Sequence, residues 1–289
     1  MNVADSQRLA SALDLLGCEE SPDPDEADVV VVNSCVVRQG AEDKAVGRLQ
    51  SLKGLKSGDP DKVVALMGCM VGPKTDSLRA RFPFVDLFMR PQVFGDLIKL
   101  VEERQGTCID NALPLVPSQP SVSTFVPIVQ GCNKFCTFCI IPYRRGREVS
   151  RPIPELVMEA KMLVARGVKE VTLLGQNVDS YGNDLPGTPD LADLLMELNG
   201  IYGIERIRFL TSHPNDMSVK LIDAVASLDK VCEHINLPVQ AGDDGVLESM
   251  HRGYNIAQYL RLVETIRGTV PNVALTTDLI VGFPGETDA

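Results

Sequence analysis

Short apolar runs alternate with amphipathic stretches along most of this chain. In its first third, the pattern predicts a helix over 6–16, a strand over 28–35, a helix over 41–55 and a strand over 63–67. Strand, helix and strand in this order are typical of a parallel α/β sheet. Because such a unit normally opens on a strand, the helix at 6–16 predicts that an opening strand is missing.

The same alternation continues in the second part of the chain. Strands are predicted over 125–129, 170–174, 206–210, 234–239 and 273–281. Helices are predicted over 155–165, 191–198 and 256–267, and a glycine follows each of them closely. A sixth strand of this β/α pattern would lie beyond residue 289. Between the two parts, proline and serine dominate residues 114–124, which predicts a linker between a domain over 1–113 and a domain over 125–289.

Composition and charge are those of an ordinary globular protein, with 44% apolar and 23% charged residues. No apolar run approaches the roughly 20 residues that span a bilayer, and the N-terminus shows no secretory signal. Eight cysteines without an export signal indicate reduced thiols in the cytoplasm that are available for metal. The net charge of −11 argues against a whole molecule that binds nucleic acid without specificity.

One segment, residues 132–151, reverses this negative charge, because it carries five basic side chains against a single acid, Glu148. The basic residues are Lys134, Arg144, Arg145, Arg147 and Arg151. Two interpretations stay open from residue type alone. The segment is either a solvated basic face or a surface that contacts phosphates beside a reactive centre.

Three cysteines share one short loop in this segment. Cys132, Cys136 and Cys139 have the spacing C-x3-C-x2-C, which brings three thiolates to one point. A structural zinc site takes four protein ligands, and no fourth ligand lies nearby in the sequence. A cubane iron–sulfur cluster accepts three thiolates and can leave its fourth iron open. The loop therefore predicts an open cluster, with zinc as the alternative.

The other cysteines fall into two groups. Cys35 and Cys69 each follow a predicted strand of the first domain, at the end where parallel sheets place ligands. By residue type alone, a buried thiol and a metal ligand are equally good interpretations of both. Cys18, Cys108 and Cys232 have no partner at ligand spacing, so they are predicted to be small buried side chains.

The motifs around these cysteines resemble the radical S-adenosylmethionine (SAM) methylthiotransferases. The matching runs are GCNKFCTFCI at 131–140, GQNVDSYG at 175–182, TSHP at 211–214, NLPVQAG at 236–242 and TDLIVGFPGE at 277–286. MNVADS at 1–6, NSC at 33–35 and GCM at 68–70 resemble the N-terminal cluster domain of that family. Within the family, the chain is most similar to the MiaB type.

This resemblance implies an α/β fold, in which an N-terminal parallel α/β cluster-binding domain precedes a partial radical SAM β/α barrel. It implies SAM and two 4Fe-4S clusters, one on Cys132, Cys136 and Cys139 and the other on Cys35 and Cys69. In the family, a third ligand of the second cluster would precede Met1. A sixth barrel strand and an RNA-binding TRAM domain would follow residue 289, so the chain is expected to be truncated at both ends.

The activity implied by the resemblance is addition of a 2-methylthio group to N6-(dimethylallyl)adenosine at position 37 of tRNA. The implied partners are the tRNA anticodon stem-loop and an electron donor such as flavodoxin or ferredoxin, and we expect a cytoplasmic monomer that does not contact membranes. The enzyme alternatives modify N6-threonylcarbamoyladenosine in tRNA or a ribosomal protein. The non-enzyme alternative is an iron–sulfur module that binds RNA.

Several residues at predicted strand ends are candidates for contacts to SAM or substrate, because barrel enzymes bind ligands there. They are Gln176, Asn177, Gln240, Gly282 and Gly285. The candidates for RNA contact are Arg144, Arg145, Arg147 and Arg151. His213 follows a predicted strand as well, and we expect a structural histidine there rather than a general base.

Overall fold

The computed structural model describes residues 1–106 and 115–287, and the chain forms two compact units. The first unit contains the residues up to Ser118 together with Tyr143–Gly146. The second contains Gln119–Pro142 and the residues from Arg147 onward. The boundary after Ser118 falls in the segment rich in proline and serine. Assignment of Tyr143–Gly146 to the first unit is a feature that the sequence pattern does not predict.

The first unit is a three-stranded parallel sheet with helices on both faces. Its elements are α1 (Asn2–Leu15), β1 (Val29–Ser34), α2 (Gln39–Ser51), α3 (Lys53–Gly58), β2 (Val63–Gly68), α4 (Asp76–Arg81), β3 (Leu87–Met89) and α5 (Gly95–Gln105). The predicted strands at 28–35 and 63–67 are confirmed as β1 and β2. The helix predicted over 41–55 is wrong in detail, since it is two helices that meet at Leu52.

The central strand β2 explains why both faces of this sheet are covered. Its six residues are all buried, and successive side chains point to opposite faces. Val63, Ala65 and Met67 pack with residues of α1 and α5, whereas Val64 and Leu66 pack with residues of α2. The register pairs Ser34 at the end of β1 with Gly68 at the end of β2. This pairing brings the residues that follow the two strands to the same sheet edge.

The second unit repeats strand and helix in the manner of a β/α barrel. Its strands are β4 (Ser123–Pro127), β5 (Val129–Gln130), β6 (Val149–Ser150), β7 (Glu170–Leu174), β8 (Arg206–Leu210), β9 (His234–Asn236) and β10 (Ala274–Thr276). Its helices are α6 (Ile141–Arg144, whose last residues belong to the first unit), α7 (Ile153–Ala165), a 3-10 turn (Val178–Ser180), α8 (Leu191–Asn199), α9 (Val219–Ser227), α10 (Asp244–Ser249) and α11 (Ile256–Thr269).

The barrel-type strands β4, β7, β8, β9 and β10 are the five that the sequence predicts. They pair in parallel as β4-β7-β8 and as β9-β10, and a parallel bridge joins Ile207 of β8 to Val231. The predicted strands over 234–239 and 273–281 are longer than the observed ones. Pro238, which has no N–H to donate, interrupts the first of them, and only the bridge between Gln240 and Leu279 continues the pairing.

The α/β fold class is therefore confirmed, with parallel strands in both units. Within residues 1–106 and 115–287, no helix has the length and apolar character that crossing a membrane requires.

Candidate functional site

The three-cysteine loop lies directly after β5, the two-residue strand that follows the first barrel strand β4 of the second unit. Cys132 and Cys136 are buried, Cys139 is half-buried, and all three are free thiols. The Cys139 N–H donates to the Cys136 carbonyl at 2.9 Å, and Phe135 has a left-handed φ of 51°. A tight turn therefore brings the later two cysteines together.

Burial governs the acidity of these thiols. It raises the pKa of Cys132 to about 11, although the backbone N–H of Lys134 at 3.5 Å opposes the shift. It also raises the pKa of Cys139, against the Ile141 backbone N–H and the charge of Arg252. The loop thus carries protons on at least two thiols at neutral pH, and a metal must displace them to bind.

Arg252 is a neighbour of this loop that sequence reasoning did not single out. It lies between α10 and α11 and is only 5% exposed. Its Nη1 donates to Cys136 Sγ at 3.2 Å, its Nη2 to the Pro238 carbonyl at 3.3 Å and its Nε to Tyr254 Oη at 3.1 Å. No periodic pattern distinguishes such a buried arginine from an exposed one.

The donor set of the loop suits an iron–sulfur cluster better than zinc. It offers three thiols, and the groups that hydrogen-bond to their sulfur atoms, the Arg252 guanidinium and the Lys134 backbone N–H, are N–H donors rather than a fourth thiol or imidazole. Across residues 1–106 and 115–287, no three Cys, His, Asp or Glu side chains already surround one point. The fit therefore rests on the number and kind of the donors.

The residues after β7 have two different roles in the second unit. Gln176 accepts a hydrogen bond from the Gly131 N–H at 2.8 Å, so it holds the backbone beside Cys132. Asn177 is buried, and its Nδ2 donates to Asp216 Oδ2 at 2.6 Å. Its Oδ1 is buried without a partner in the described structure. An unused buried acceptor at this strand end suits a polar group of a bound ligand.

The residues after β8 continue this polar network. Asp216 accepts a hydrogen bond from Lys134 Nζ at 2.7 Å, within the cysteine loop. His213 is buried, burial lowers its pKa to about 3, and its Nε2 also lacks a partner in the described structure. It is therefore neutral, in keeping with a structural role, and it presents a second unused polar atom.

Asp179 occupies the interior of the same network. It accepts hydrogen bonds from Ser212 Oγ at 2.9 Å and from the His213 N–H at 3.0 Å. Burial nevertheless raises its pKa to about 7. Sequence reasoning missed Asp179 because its neighbours come from another strand end, which the chain order does not reveal.

The remaining strand-end candidates are characterised by their backbone conformation. Gln240 has a φ of 73°, and its backbone bonds to Asp278 and Ile280 across the bridge to the following segment. Gly282 and Gly285 have φ values of 73° and 88°, which favour glycine. Apart from their chain neighbours, no atom of the described residues lies within 4 Å of where a Cβ would stand on either glycine, so backbone conformation rather than close approach explains them.

The four arginines proposed for RNA contact differ sharply in their surroundings. Arg147 is exposed, with its guanidinium 4.5 Å from the Phe135 ring centre, and Arg144 is half-buried. Arg145 is buried and pairs with Asp5 at 2.9 Å. Arg151 is mostly buried, and its guanidinium donates to Glu155, Glu159 and the Pro127 carbonyl.

These contacts correct the prediction for Arg145 and Arg151. Both guanidinium groups are committed to buried carboxylates, so neither is free to meet a phosphate. Charge along the sequence cannot separate paired arginines from exposed ones, because their partners Asp5 and Glu159 lie elsewhere in the chain.

Cys35 and Cys69 lie together at the carboxyl edge of the first unit's sheet. They follow the paired residues Ser34 and Gly68, and the Cys69 N–H donates to the Ser34 carbonyl at 3.0 Å. A φ of 103° at Gly68 makes the turn, and a Cβ there would lie 2.3 Å from the Ser34 carbonyl oxygen. Parallel pairing therefore brings the two thiols to one edge, and glycine is required beside one of them.

A cluster of polar side chains lies beside Cys69. The Arg145 guanidinium bonds to Asn2 Oδ1 at 2.8 Å and to Asp5, and Cys69 Sγ lies 3.9 Å from Asn2 Oδ1. Burial raises the pKa of the Cys69 thiol, and the charge and hydrogen bond of Arg145 act against that shift. Arg145 Nη1 and Asp5 Oδ1 are buried without partners in the described structure.

The remaining cysteines are only partly as predicted. Cys18 and Cys232 are half-buried rather than buried, and Cys18 accepts a hydrogen bond from Gln105 Nε2 at 3.5 Å. Cys108 lies outside the described residues.

Comparison with solved structures supports the fold. The chain is similar to the radical SAM methyltransferase TsrM from Kitasatospora setae, with 16% identity, a TM-score of 0.64, and coverage of 98% of this chain and 61% of that one. It is also similar to the cobalamin-dependent SAM radical enzyme OxsB, with 11% identity, a TM-score of 0.61, and coverage of 94% and 42%.

Curated relatives cover nearly the whole chain. A tRNA-2-methylthio-N(6)-dimethylallyladenosine synthase of Dehalococcoides mccartyi is 51% identical over 287 residues, which are 99% of this chain. An enzyme of the same name from Herpetosiphon aurantiacus is 49% identical over 289 residues. The chain spans 66% of the length of each of these relatives.

Two family models match the two parts of the chain. Residues 1–90 match an uncharacterized protein family, UPF0004. Residues 126–289, which hold the three-cysteine loop and the strand ends around it, match the radical SAM superfamily. The chain therefore belongs to the radical SAM superfamily.

Proposed function

We propose that this protein is a tRNA methylthiotransferase that converts N6-(dimethylallyl)adenosine at position 37 to its 2-methylthio derivative. The observation that carries the proposal is the presence of two separate cysteine sets, each of which lies beyond the carboxyl ends of parallel strands. One is the three-cysteine loop of the second unit, and the other is Cys35 with Cys69 in the first. The names of the 51% and 49% identical relatives support the choice of substrate.

The proposal gives the two cysteine sets different cofactors. Cys132, Cys136 and Cys139 would hold a 4Fe-4S cluster that binds SAM, and Cys35 and Cys69 would hold a second one. When bound, these groups supply hydrogen abstraction at C2 of the adenine, and the sulfur and methyl group that replace the hydrogen. The buried acceptor Asn177 Oδ1 and the buried donor His213 Nε2, whose ring accepts the Asn215 N–H at Nδ1, would orient a polar ligand beside the first cluster.

The protein's own residues would keep this site dry and fixed. Gln176 holds the backbone at Gly131, and the ion pair of Lys134 with Asp216 ties the cysteine loop to the residues after β8. Such second-layer contacts orient metal ligands. On the partner side, we propose the anticodon stem-loop of tRNA, contacted by Arg147 and Arg144. An electron donor of the flavodoxin or ferredoxin type would reduce the first cluster. We propose that the protein acts as a monomer in the cytoplasm.

Nucleoside analysis tests the substrate. In a strain that lacks the gene, mass spectrometry of hydrolysed tRNA should find N6-(dimethylallyl)adenosine without its 2-methylthio derivative. Normal levels of the methylthio derivative would contradict the proposal. Loss of the methylthio group from threonylcarbamoyladenosine, or from a ribosomal protein, would support the alternative enzymes instead.

Anaerobic reconstitution separates an enzyme from an iron–sulfur module that only binds RNA. With iron, sulfide, SAM and dithionite, the protein should release 5′-deoxyadenosine. A loaded cluster without any cleavage of SAM would favour the binding module. A matched control is Cys232→Ala, which removes a half-buried thiol outside both cysteine sets and should leave the release unchanged.

A further inference from the structure

Arg252 is a buried cation without a carboxylate partner. Its side chain lies in the second unit and is 5% exposed, and none of the ion pairs found across residues 1–106 and 115–287 includes it. Its three acceptors are a carbonyl, a phenol and Cys136 Sγ. Burial raises the pKa of Tyr254, so the phenol stays neutral. A buried charge normally requires a counter-charge, and Cys136 is the contact that can supply one.

The other cationic groups near this loop are either neutralised or, like Arg147, exposed to solvent. Lys134 pairs with Asp216 at 2.7 Å, and His213, whose pKa burial lowers to about 3, carries no charge at neutral pH. Among the described residues around the three-cysteine loop, Arg252 is thus the cation in direct contact with a ligand sulfur, at 3.2 Å.

We propose that Arg252 is a positioning residue that raises the reduction potential of the cluster on Cys132, Cys136 and Cys139. A cluster with thiolate ligands gains negative charge on reduction, so a cation and an N–H···S hydrogen bond at one ligand stabilise the reduced form more than the oxidised form. The low polarity of a buried site strengthens this effect. The inference rests on the proposed function, because it requires the cluster on this loop.

The surroundings offer a control for a purely structural role. Tyr254 accepts from Arg252 Nε, but its own hydroxyl also donates to the Val239 carbonyl at 2.8 Å. Tyr254→Phe therefore removes hydrogen bonds from the same pocket and leaves the guanidinium charge beside Cys136. Arg252→Lys keeps the charge, whereas Arg252→Met and Arg252→Gln remove it, and Gln retains an N–H donor.

The test is a redox titration of the anaerobically reconstituted protein, with Cys35→Ala and Cys69→Ala in the parent and in every variant so that only the cluster on Cys132, Cys136 and Cys139 is loaded. The electron paramagnetic resonance signal of this reduced cluster follows the titration. We expect the two neutral variants to require a more negative potential, with at least a tenfold lower ratio of reduced to oxidised cluster at a given potential. For a one-electron couple, that change corresponds to ~59 mV. The reduction potential of Arg252→Lys should lie between those of the neutral variants and the parent protein. The reduction potential of Tyr254→Phe should equal that of the parent.

Each other outcome has a defined meaning. The inference would be overturned if the neutral variants had the reduction potential of the parent. It would also be overturned if Tyr254→Phe lowered that potential as much as Arg252→Met. Loss of iron from both neutral variants would also overturn it, because a tuning role leaves the cluster bound. A parent protein that loads no cluster on this loop would refute the proposed function itself. A loaded parent that cleaves SAM, combined with unmoved variants, would refute only the role of Arg252.

Discussion

The two cysteine sites differ in what balances the arginine beside them. In the first unit, Arg145 lies beside Cys69 and is already paired with Asp5 at 2.9 Å, with both side chains almost fully buried. In the second unit, Arg252 contacts Cys136 at 3.2 Å and has no carboxylate partner in the described part of the chain. The charge of Arg145 is balanced by a carboxylate of the protein itself, whereas Arg252 holds a charge suited to an anionic ligand.

The sites also differ in how the chain builds them. Cys35 and Cys69 become neighbours only through pairing of β1 with β2, so their site depends on the whole sheet of the first unit. Cys132, Cys136 and Cys139, in contrast, lie in one loop, and the turn that brings the later two together is formed by residues of that loop. We therefore expect the first site to respond to changes in stability, and the second to respond to changes in charge and ligand number.

The largest expected effect separates the two sites by reaction step. Cys136→Ala removes one of only three thiols at the open cluster, so release of 5′-deoxyadenosine should fall to background. Cys69→Ala removes a ligand of the second site only, so it should abolish methylthio transfer and leave that release in place. Chromatography of the nucleoside products and mass spectrometry of the tRNA measure the two steps separately. Release of 5′-deoxyadenosine that disappears with Cys69→Ala would show that the two sites do not divide the reaction.

The next effect concerns stability. Arg145→Met leaves the buried carboxylate of Asp5 without its partner, so the free energy of unfolding of the metal-free protein should fall by about 3–5 kcal/mol. Arg252→Met strands no carboxylate and removes only hydrogen bonds to neutral oxygens and a thiol, so it should change that free energy by about 1 kcal/mol. Urea unfolding followed by circular dichroism measures both.

A double variant sharpens this prediction. Asp5→Leu with Arg145→Met replaces both charges by apolar groups, and it should recover most of the stability lost in the single variant, since no unpaired charge remains. If Arg145→Met and Arg252→Met lower the free energy of unfolding by the same amount, the contrast between a paired and an unpaired buried arginine is wrong.

A smaller effect is confined to the second unit and depends on pH. Burial raises the pKa of Asp179 from 3.8 to about 7, so ionisation in the unfolded chain lowers stability as pH rises through this window. Burial lowers the pKa of His213 from 6.5 to about 3, so stability rises with pH between these values. The two slopes have opposite signs and largely cancel. Asp216, Lys134 and Arg252 contribute smaller electrostatic effects to one or both groups.

Removing one member of this pair should reveal the other. Relative to the parent protein, Asp179→Asn should make the dependence of unfolding free energy on pH more positive by about 1.4 kcal/mol per pH unit near pH 5. His213→Gln should make it more negative by the same amount, and it keeps the backbone N–H that bonds Asp179. Urea unfolding between pH 4 and pH 6.5 measures the slopes. Parallel slopes in all three proteins would contradict the assigned protonation states.

Periodicity and motif spacing predict much of the fold and only part of the site. The strands over 170–174 and 206–210 coincide with β7 and β8, because short segments in which apolar residues recur at alternate or adjacent positions, bounded by polar residues or glycine, are typical of strands. The strand β3 is too short to give a pattern, at three residues. The three-cysteine loop is recognisable because its ligands are local in sequence. Arg252 and Asp179 are not, because their partners come from other strand ends.

The basic segment over 132–151 shows the same limit of sequence-based prediction. The smallest expected effect concerns RNA binding by this segment. Arg147 is exposed and Arg145 is buried in its pair with Asp5, although the two are separated by a single residue. If Arg147 contacts a phosphate, Arg147→Ala should weaken binding of an anticodon stem-loop and reduce the slope of log affinity against log salt by about 0.7 to 0.9. Lys161→Ala, which removes an exposed lysine of α7, serves as the matched control and should leave the slope unchanged. Fluorescence anisotropy between low and moderate salt measures these slopes. Equal slopes for the parent and Arg147→Ala would mean that the exposed arginine is a solvated surface group, and RNA contact would then have to be sought elsewhere.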